Sequence, residues 1–347
     1  MKKTLALVLA TMMLLSMFVF SSCEVLNEVI GNPMFDYSQG GANNSQQEEE
    51  YRHIEYQNTY ALNEDGQTYR VVGVKYDGCT RITVPDVYNG KPVTAVGGEG
   101  AVFPSILFEL VIGKHVKSID ANSFYSNNVI AQIKVDEENK YFTSIDGSLY
   151  TKDKKTLVMY ACDSSTTSFT VPDSVTTIGD YAFTWNEFLE TIYIGESVTS
   201  IGKEAFSTCN RLKAFEVDQN NPCFKSVDGV LYSKDGTELI QYPGGNQEET
   251  FFMPDGVKVI RPYAFNGYQE MKYIVFPESL TEIGDYAFGG SYNLSNITIP
   301  ATVTVISDSA FWGCPQLKIC CEAESKPEGW VDGWNNFIEV HWGCKGD

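Results

Sequence analysis

Histidine, cysteine and carboxylate are the residues of this chain most able to do chemistry, and their spacing gives them little of it. There are three histidines, His53, His115 and His341, each far from the others in sequence. No His-Glu-x-x-His pair, Gly-x-Ser-x-Gly elbow or Cys-x-x-Cys occurs, so the usual spacings for zinc, an activated serine or a redox pair are missing. Gly97-Gly98-Glu99-Gly100 lacks the Gly-Lys-Ser/Thr that a phosphate loop needs and reads as loop. Asp146 with Asp153, and Asp228 with Asp235, lack the dense Asp-x-Asp-x-Asp-Gly order of a calcium loop and read as turn residues. No catalytic residue, cofactor or metal set is therefore expected, and the chain is not expected to be an enzyme.

The elements that carry these residues follow from a phrase, Ile-x-x-x-Ala/Ser-Phe. Its isoleucines are Ile119, Ile178, Ile201, Ile260, Ile283 and Ile306, partnered by Phe124, Phe183, Phe206, Phe265, Phe288 and Phe311. The intervals between successive isoleucines are of two kinds, a long step (Ile119 to Ile178, Ile201 to Ile260) and a short one (Ile178 to Ile201, Ile260 to Ile283, Ile283 to Ile306). All long steps are equal, all short steps are equal, and one of each makes a larger unit, as from Ile119 to Ile201. A fixed period in this range is the mark of a solenoid, in which each coil rests on its neighbours. After each phrase comes a Leu-x-x-Ile-x-Ile string, such as Leu189, Ile192, Ile194 and Leu294, Ile297, Ile299. The alternation predicts a short strand with its large side chains inward, ended by Pro172, Gly195, Pro254, Pro277 or Pro300. The Ala-Phe segment is short enough for a single helical or 3-10 turn. The first coil is worn, because Phe103 arrives late relative to the other phenylalanines.

The long steps hold an insertion twice. Phe142-x-x-Ile145-Asp146-Gly147-x-Leu149-Tyr150 returns one larger unit later as Phe224-x-x-Val227-Asp228-Gly229-x-Leu231-Tyr232. Asp-Gly between apolar β-formers predicts a hairpin, an excursion from the coil. These strings, with the entry stretch Tyr60-Ala-Leu62 to Thr94 and the tail Cys321 to Gly343, resemble the BspA-like leucine-rich-repeat family of bacterial surface proteins. The resemblance covers about residues 51–343. It implies a right-handed, strand-rich repeat solenoid of the α/β leucine-rich-repeat type, exposed outside the cell for adhesion or protein recognition. It supplies no catalytic residues. The expected layout is a β cap over 51–95, a solenoid over 96–322 with hairpin inserts near 136–168 and 218–250, and a terminal cap over 323–347.

Processing and charge set the compartment. Met1-Lys2-Lys3 and the apolar residues 4–20 read as a secretory signal, shorter than the roughly 20 residues a membrane span prefers. Phe20-Ser21-Ser22-Cys23 resembles a bacterial lipoprotein processing box. The expectation is a signal peptide over 1–22, lipid on Cys23, and a disordered tether over 23–50, which has little to bury. The protein is then extracytoplasmic and meets the membrane only through its anchor. A net charge of −20 repels nucleic acid and anionic lipid.

Eight cysteines remain. Cys209 and Cys314 each stand at the same short distance after a repeat phenylalanine, an inward phase that suits free thiols. Cys320 is placed at an inward isoleucine position. Cys79, Cys162 and Cys223 lie on unrelated coils, leaving Cys321 with Cys344 as the pair whose spacing allows a disulfide.

The coil register also names the displayed residues. Val111, Lys134, Tyr193, Glu216, Val275 and Thr298 lie between inward residues, with Phe108, Glu190, Lys213, Lys272 and Tyr273 nearby. Strands stacked about 4.8 Å apart would align them in one ribbon. Tyr193, Tyr273, Val275, Val111 and Phe108 are the candidate ligand-binding residues, because aromatic and apolar side chains outside a fold favour interfaces. The same residues also suit strands by β-propensity alone. Two partner classes follow. One is an extracellular protein, such as a host or matrix component. The other is a glycan or cell-wall polymer on Trp330, Trp334 and Trp342, unless those rings seal the core end.

Overall fold

The computed structural model describes residues 57–75, 81–104, 107–124, 130–162 and 166–344. The signal segment, Cys23, the tether to residue 50, His53 and Cys79 lie outside the described residues. The rest is a strand-rich β-solenoid of the leucine-rich-repeat type.

Each coil meets its neighbours along three lines. The first is the ribbon, made by strands such as Thr191–Ile194, where Ile192 and Ile194 are buried and Tyr193 points outward. The second is a row of two-residue strands that hold the isoleucine of the phrase: Thr177–Ile178, Ser200–Ile201, Val259–Ile260, Glu282–Ile283 and Val305–Ile306. They stack in parallel, Ile178 beside Ile201 and Ile283 beside Ile306. The third line is the Ala-Phe segment. The 3-10 form occurs there once among the described residues, at Ala121–Phe124.

In the later coils the residue before Ala-Phe takes a left-handed backbone instead: Tyr181, Glu204, Tyr263, Tyr286 and Ser309, with φ from 49° to 62°. That conformation costs an ordinary residue roughly 1–2 kcal/mol. It turns the neighbouring amides along the solenoid axis, where they bond the next coil. Phe183 N donates to Ala205 O and Phe265 N to Ala287 O, both at 2.7 Å. A helical turn would spend those amides within its own coil. Here inter-coil bonds win, so the described turns are almost free of helix.

The phenylalanines stack as the phrase requires, in three columns. Phe103 lies on Phe124 at 4.4 Å, so even the worn coil keeps its contact. Tyr160, Phe183 and Phe206 follow at 5.1 and 5.4 Å. Tyr242, Phe265, Phe288 and Phe311 follow at 5.1, 4.9 and 5.2 Å, closed by Trp334. The tyrosines that end each insert thus stand in the phenylalanine column.

The inserts explain why there are three columns. Each is a hairpin turning on Asp146-Gly147 or Asp228-Gly229, all four at positive φ, with Ile145 facing Ser148 and Val227 facing Val230. A third strand, Thr156–Met159 or Glu238–Gln241, pairs in parallel with the next isoleucine strand. At the far end the turn reaches the ribbon, where Gly147 O accepts from Ile133 N and Gly229 O from Phe215 N. The insert therefore spans the interior as a septum rather than leaving the coil. Its alternate side chains serve two cores: Leu149 and Met159 face backward, Tyr150 and Leu157 forward. Leu231 and Ile240 repeat the backward face, Tyr232 and Leu239 the forward one. Buried Asn139 staples the first insert to its coil. Its amide donates to Gly113 O and Val116 O, and its oxygen accepts from Tyr141 N and Phe142 N. Asn221 repeats all four bonds in the second insert.

The last coil corrects the cysteine assignment. Tyr273 pairs with Asn296, the usual short step, but Asn296 pairs with Lys318, a step shorter by one. One residue is lost after Leu317, so Ile319 and Cys321 fill the inward places of Ile297 and Ile299. Cys320 falls opposite outward Thr298. It is Cys320, not Cys321, that bonds Cys344, with Cα atoms 5.9 Å apart. Cys321 is a buried free thiol, as are Cys162, Cys209 and Cys314.

Candidate interaction surface

The ribbon places the sequence-named residues on outward positions but divides them among three sheets. Arg81–Thr83, Glu109–Ile112 and Gln132–Val135 form the first, with Thr83, Val111 and Lys134 in one row. Ser168–Thr170, Thr191–Ile194 and Ala214–Val217 form the second, with Thr170, Tyr193 and Glu216 in that row. Thr250–Phe252, Tyr273–Val275, Asn296–Ile299, Lys318–Cys321 and Val340–Trp342 form the third. The breaks coincide with the septum turns, so the single ribbon expected from stacking is interrupted twice. Val111 stands on the first sheet with Phe108 just before its strand, Tyr193 stands on the second, and Tyr273 and Val275 share one strand of the third.

Their exposure differs. Val111 is half-buried beside a shallow cavity of about 340 Å³ lined also by Thr83, Asp86 and Lys134. Phe108 and Tyr193 are 37% and 38% exposed, whereas Tyr273 and Val275 reach 47% and 49%. The most exposed apolar residue on the described ribbon strands is Phe252, at 70%, directly opposite Val275. The sequence pattern hides it because Thr250-Phe251-Phe252-Met253 lacks the Ile-x-Ile form. The signal was present all the same, since Phe252 lies one short step before Val275.

Three acids on the ribbon are paired with cations. Glu109 lies 2.6 Å from Arg81 and also meets Lys134. Glu190 meets Lys213 at 2.9 Å and Arg211 at 3.4 Å, and the hydrogen bond from Lys213 holds its carboxyl below the usual range. Glu249 meets Lys272 at 2.6 Å, and that bond raises the lysine. Such exposed pairs contribute little stability. Their effect is to neutralise Glu109, Glu190 and Glu249 and leave the apolar side chains beside them prominent.

The terminal tryptophans are mostly inside. Trp330 and Trp334 are buried with rings 4.7 Å apart, and Trp330 Nε1 donates to Val303 O at 3.1 Å. Trp342 alone of the three offers part of its ring to solvent. Among the described residues no group of three or more His, Cys, Asp or Glu is placed to hold a metal ion.

A family model for the BspA type leucine rich repeat region matches in six copies, over residues 101–226 and 245–323. A leucine rich cell surface protein from Faecalibacterium prausnitzii is similar at 22% identity, with 84% of this chain and 93% of that chain covered and a TM-score of 0.41. The pneumococcal vaccine antigen PcpA is similar at 21% identity, covering 84% of this chain and 86% of that chain, with a TM-score of 0.46. A leucine-rich repeat protein from Bacteroides ovatus is 23% identical over 82% of this chain and 70% of that chain, at a TM-score of 0.37. No curated protein matches the chain.

Proposed function

This chain belongs to the BspA-type leucine-rich-repeat family, and from that premise we propose that it is a cell-surface module that binds another extracellular protein through its strand ribbon. The observation that carries this is the outward apolar set on consecutive strands, Phe252 beside Val275 with Tyr273 on the same face. Large apolar side chains left in water on a rigid sheet cost solubility. They are put to use when a partner covers them.

In this reading the chain is tethered outside the cytoplasmic membrane by lipid on Cys23, and residues 23–50 hold the solenoid away from the bilayer. Metabolic labelling with a fatty-acid analogue should mark the wild type and leave Cys23→Ser unmarked. Equal labelling of both would remove the anchor.

Binding is tested by surface plasmon resonance against purified host-surface and matrix proteins, with a glycan array beside it. Truncating a central interface tyrosine costs about 2 kcal/mol or more, roughly thirtyfold in affinity. Tyr193→Ala/Tyr273→Ala is expected to keep its thermal midpoint and lose the protein partner. Unchanged protein binding in that variant would move the site off the ribbon. Glycan binding lost with Trp342→Ala would assign the ligand to the terminal cap.

A further inference from the structure

The apolar patch on the third sheet is flanked by exposed acids at both ends of its strands: those after the strands have counterparts in Asp173 and Glu196 of the second sheet, whereas Glu248 and Glu270 before them do not. Glu248, Glu249 and Glu270 stand exposed just before the strands Thr250–Phe252 and Tyr273–Val275, and Asp255 and Glu278 stand exposed just after them. Among the described residues, Glu249 is the one of these five with an ion-pair partner, Lys272. On the first and second sheets the facing acids Glu109 and Glu190 each hold two cations. The strands Thr250–Phe252 and Tyr273–Val275 thus present apolar side chains in the middle and carboxylates without an ion pair at both ends.

That pattern selects its occupant by charge. A second copy would bring the same carboxylates and another net charge of −20. The chain's own segment over residues 24–50 has no lysine or arginine and carries Glu24, Glu28, Asp36 and Glu48-Glu49-Glu50. Both would be repelled. Resting on the ribbon reading above, we propose that the third sheet receives a cationic, extended segment of its protein partner. In an extended chain alternate side chains share a face about 6.6 Å apart. Apolar residues of one face can then cover Phe252, Val275 and Tyr273, while lysines or arginines at the segment's ends reach Glu248 and Glu270 on one side and Asp255 and Glu278 on the other. Complementary charge chiefly raises the association rate and excludes wrong partners.

The probe is a short peptide of alternating lysine and valine, titrated onto the full chain by fluorescence anisotropy, with an alternating glutamate and valine peptide as its opposite. The basic peptide is expected to bind, more weakly as salt rises, and the acidic one to stay free. Phe252→Ser/Val275→Ser and, separately, Asp255→Asn/Glu278→Gln should each weaken the basic peptide roughly tenfold or more. Glu324→Gln/Glu328→Gln, the same charge change in the terminal cap, should leave it unchanged; circular dichroism checks the fold of each variant. No binding of the basic peptide, or equal binding by all three variants, overturns the proposal. So does a concentration-dependent dimer that Phe252→Ser/Val275→Ser abolishes, which gives the patch to a second copy. If Tyr193→Ala/Tyr273→Ala loses a protein partner while the basic peptide never binds, the ribbon reading stands and the cationic assignment falls.

Discussion

Cys209 and Cys314 occupy a position in the coil whose role is set by a carbonyl. Cys209 Sγ donates to Phe183 O and Cys314 Sγ to Phe288 O, each at 3.1 Å and with the same sequence separation. Ser291, in the same phase between them, donates to Phe265 O at 3.1 Å. Thiol and hydroxyl both serve as a small buried donor there, while Asn186 and Tyr268 hold the same phase in other coils with other partners. Burial pushes the Cys314 thiol up to about 12 and raises that of Cys209 as well, so neither is a reactive thiolate at neutral pH. Cys314→Ser is expected to change stability by less than about 0.5 kcal/mol, and Cys314→Ala to cost more, about 1 kcal/mol, because it removes one of the two donors to the Phe288 carbonyl and leaves only Ser291 N. Denaturant unfolding compares the two, and an alanine variant more stable than the serine one would remove the donor role. Alkylation should reach both thiols after denaturation without reductant.

At the scale of elements, the septum's outer turn is held by one carboxylate. Asp235 accepts from the Ser233 hydroxyl, from Thr237 N and from the Thr237 hydroxyl. These bonds, led by that of Ser233, pull its pKa from 3.8 to about 2. Asp153, its counterpart in the first insert, is lowered likewise, first by the Thr151 hydroxyl. A depressed folded pKa means the contribution is complete above about pH 4 and is lost as pH falls toward 2. Protection of the Thr237 and Glu238 amides, taken relative to the intrinsic exchange rate at each pH, should fall across that window and stay flat above it. Asp235→Asn should remove the acid dependence at these amides. Loss of protection that begins only well above pH 4 would point to another group. The last coil obeys a different constraint: deletion of one residue turns Cys320 outward, and the disulfide to Cys344 then ties the final segment to the solenoid.

Across the whole molecule, the septa divide one solenoid into three cores: one built from residues between Val71 and Met159, one between Tyr150 and Ile240, and one between Val230 and Trp334. In repeat proteins stability is roughly a sum of local and nearest-neighbour terms, so a lesion is felt mainly where it is made. Phe288→Ala removes a fully buried ring between Phe265 and Phe311 at a cost of about 3–5 kcal/mol. Exchange should rise across the third core, over residues 250–342, while residues 81–135 keep wild-type protection. A uniform rise along the chain would mean that the septa transmit the loss and the cores unfold as one.

The coil phase was legible in the sequence because a stacked coil must repeat its inward side chains at a fixed interval. Ile178, Ile283, Phe183 and Phe288 could be assigned to the core from spacing alone, and so could Asp-Gly as a hairpin turn, since few other residues accept positive φ there. What spacing could not give was the partner of each backbone group. Whether a hairpin leaves the coil or crosses it depends on where its glycine carbonyl finds a donor, and Ile133 and Phe215 supply that only in three dimensions. The same step cut the ribbon into three sheets, so residues in one sequence phase did not become one surface. A one-residue deletion between Leu317 and Lys318 was invisible as well, because either neighbouring cysteine fits the pattern until the strand pairing fixes the register. Sequence thus determined which side chains face inward, a matter of period. Tertiary structure decided which outward ones stand together, because that depends on the hydrogen-bonded neighbour of every strand.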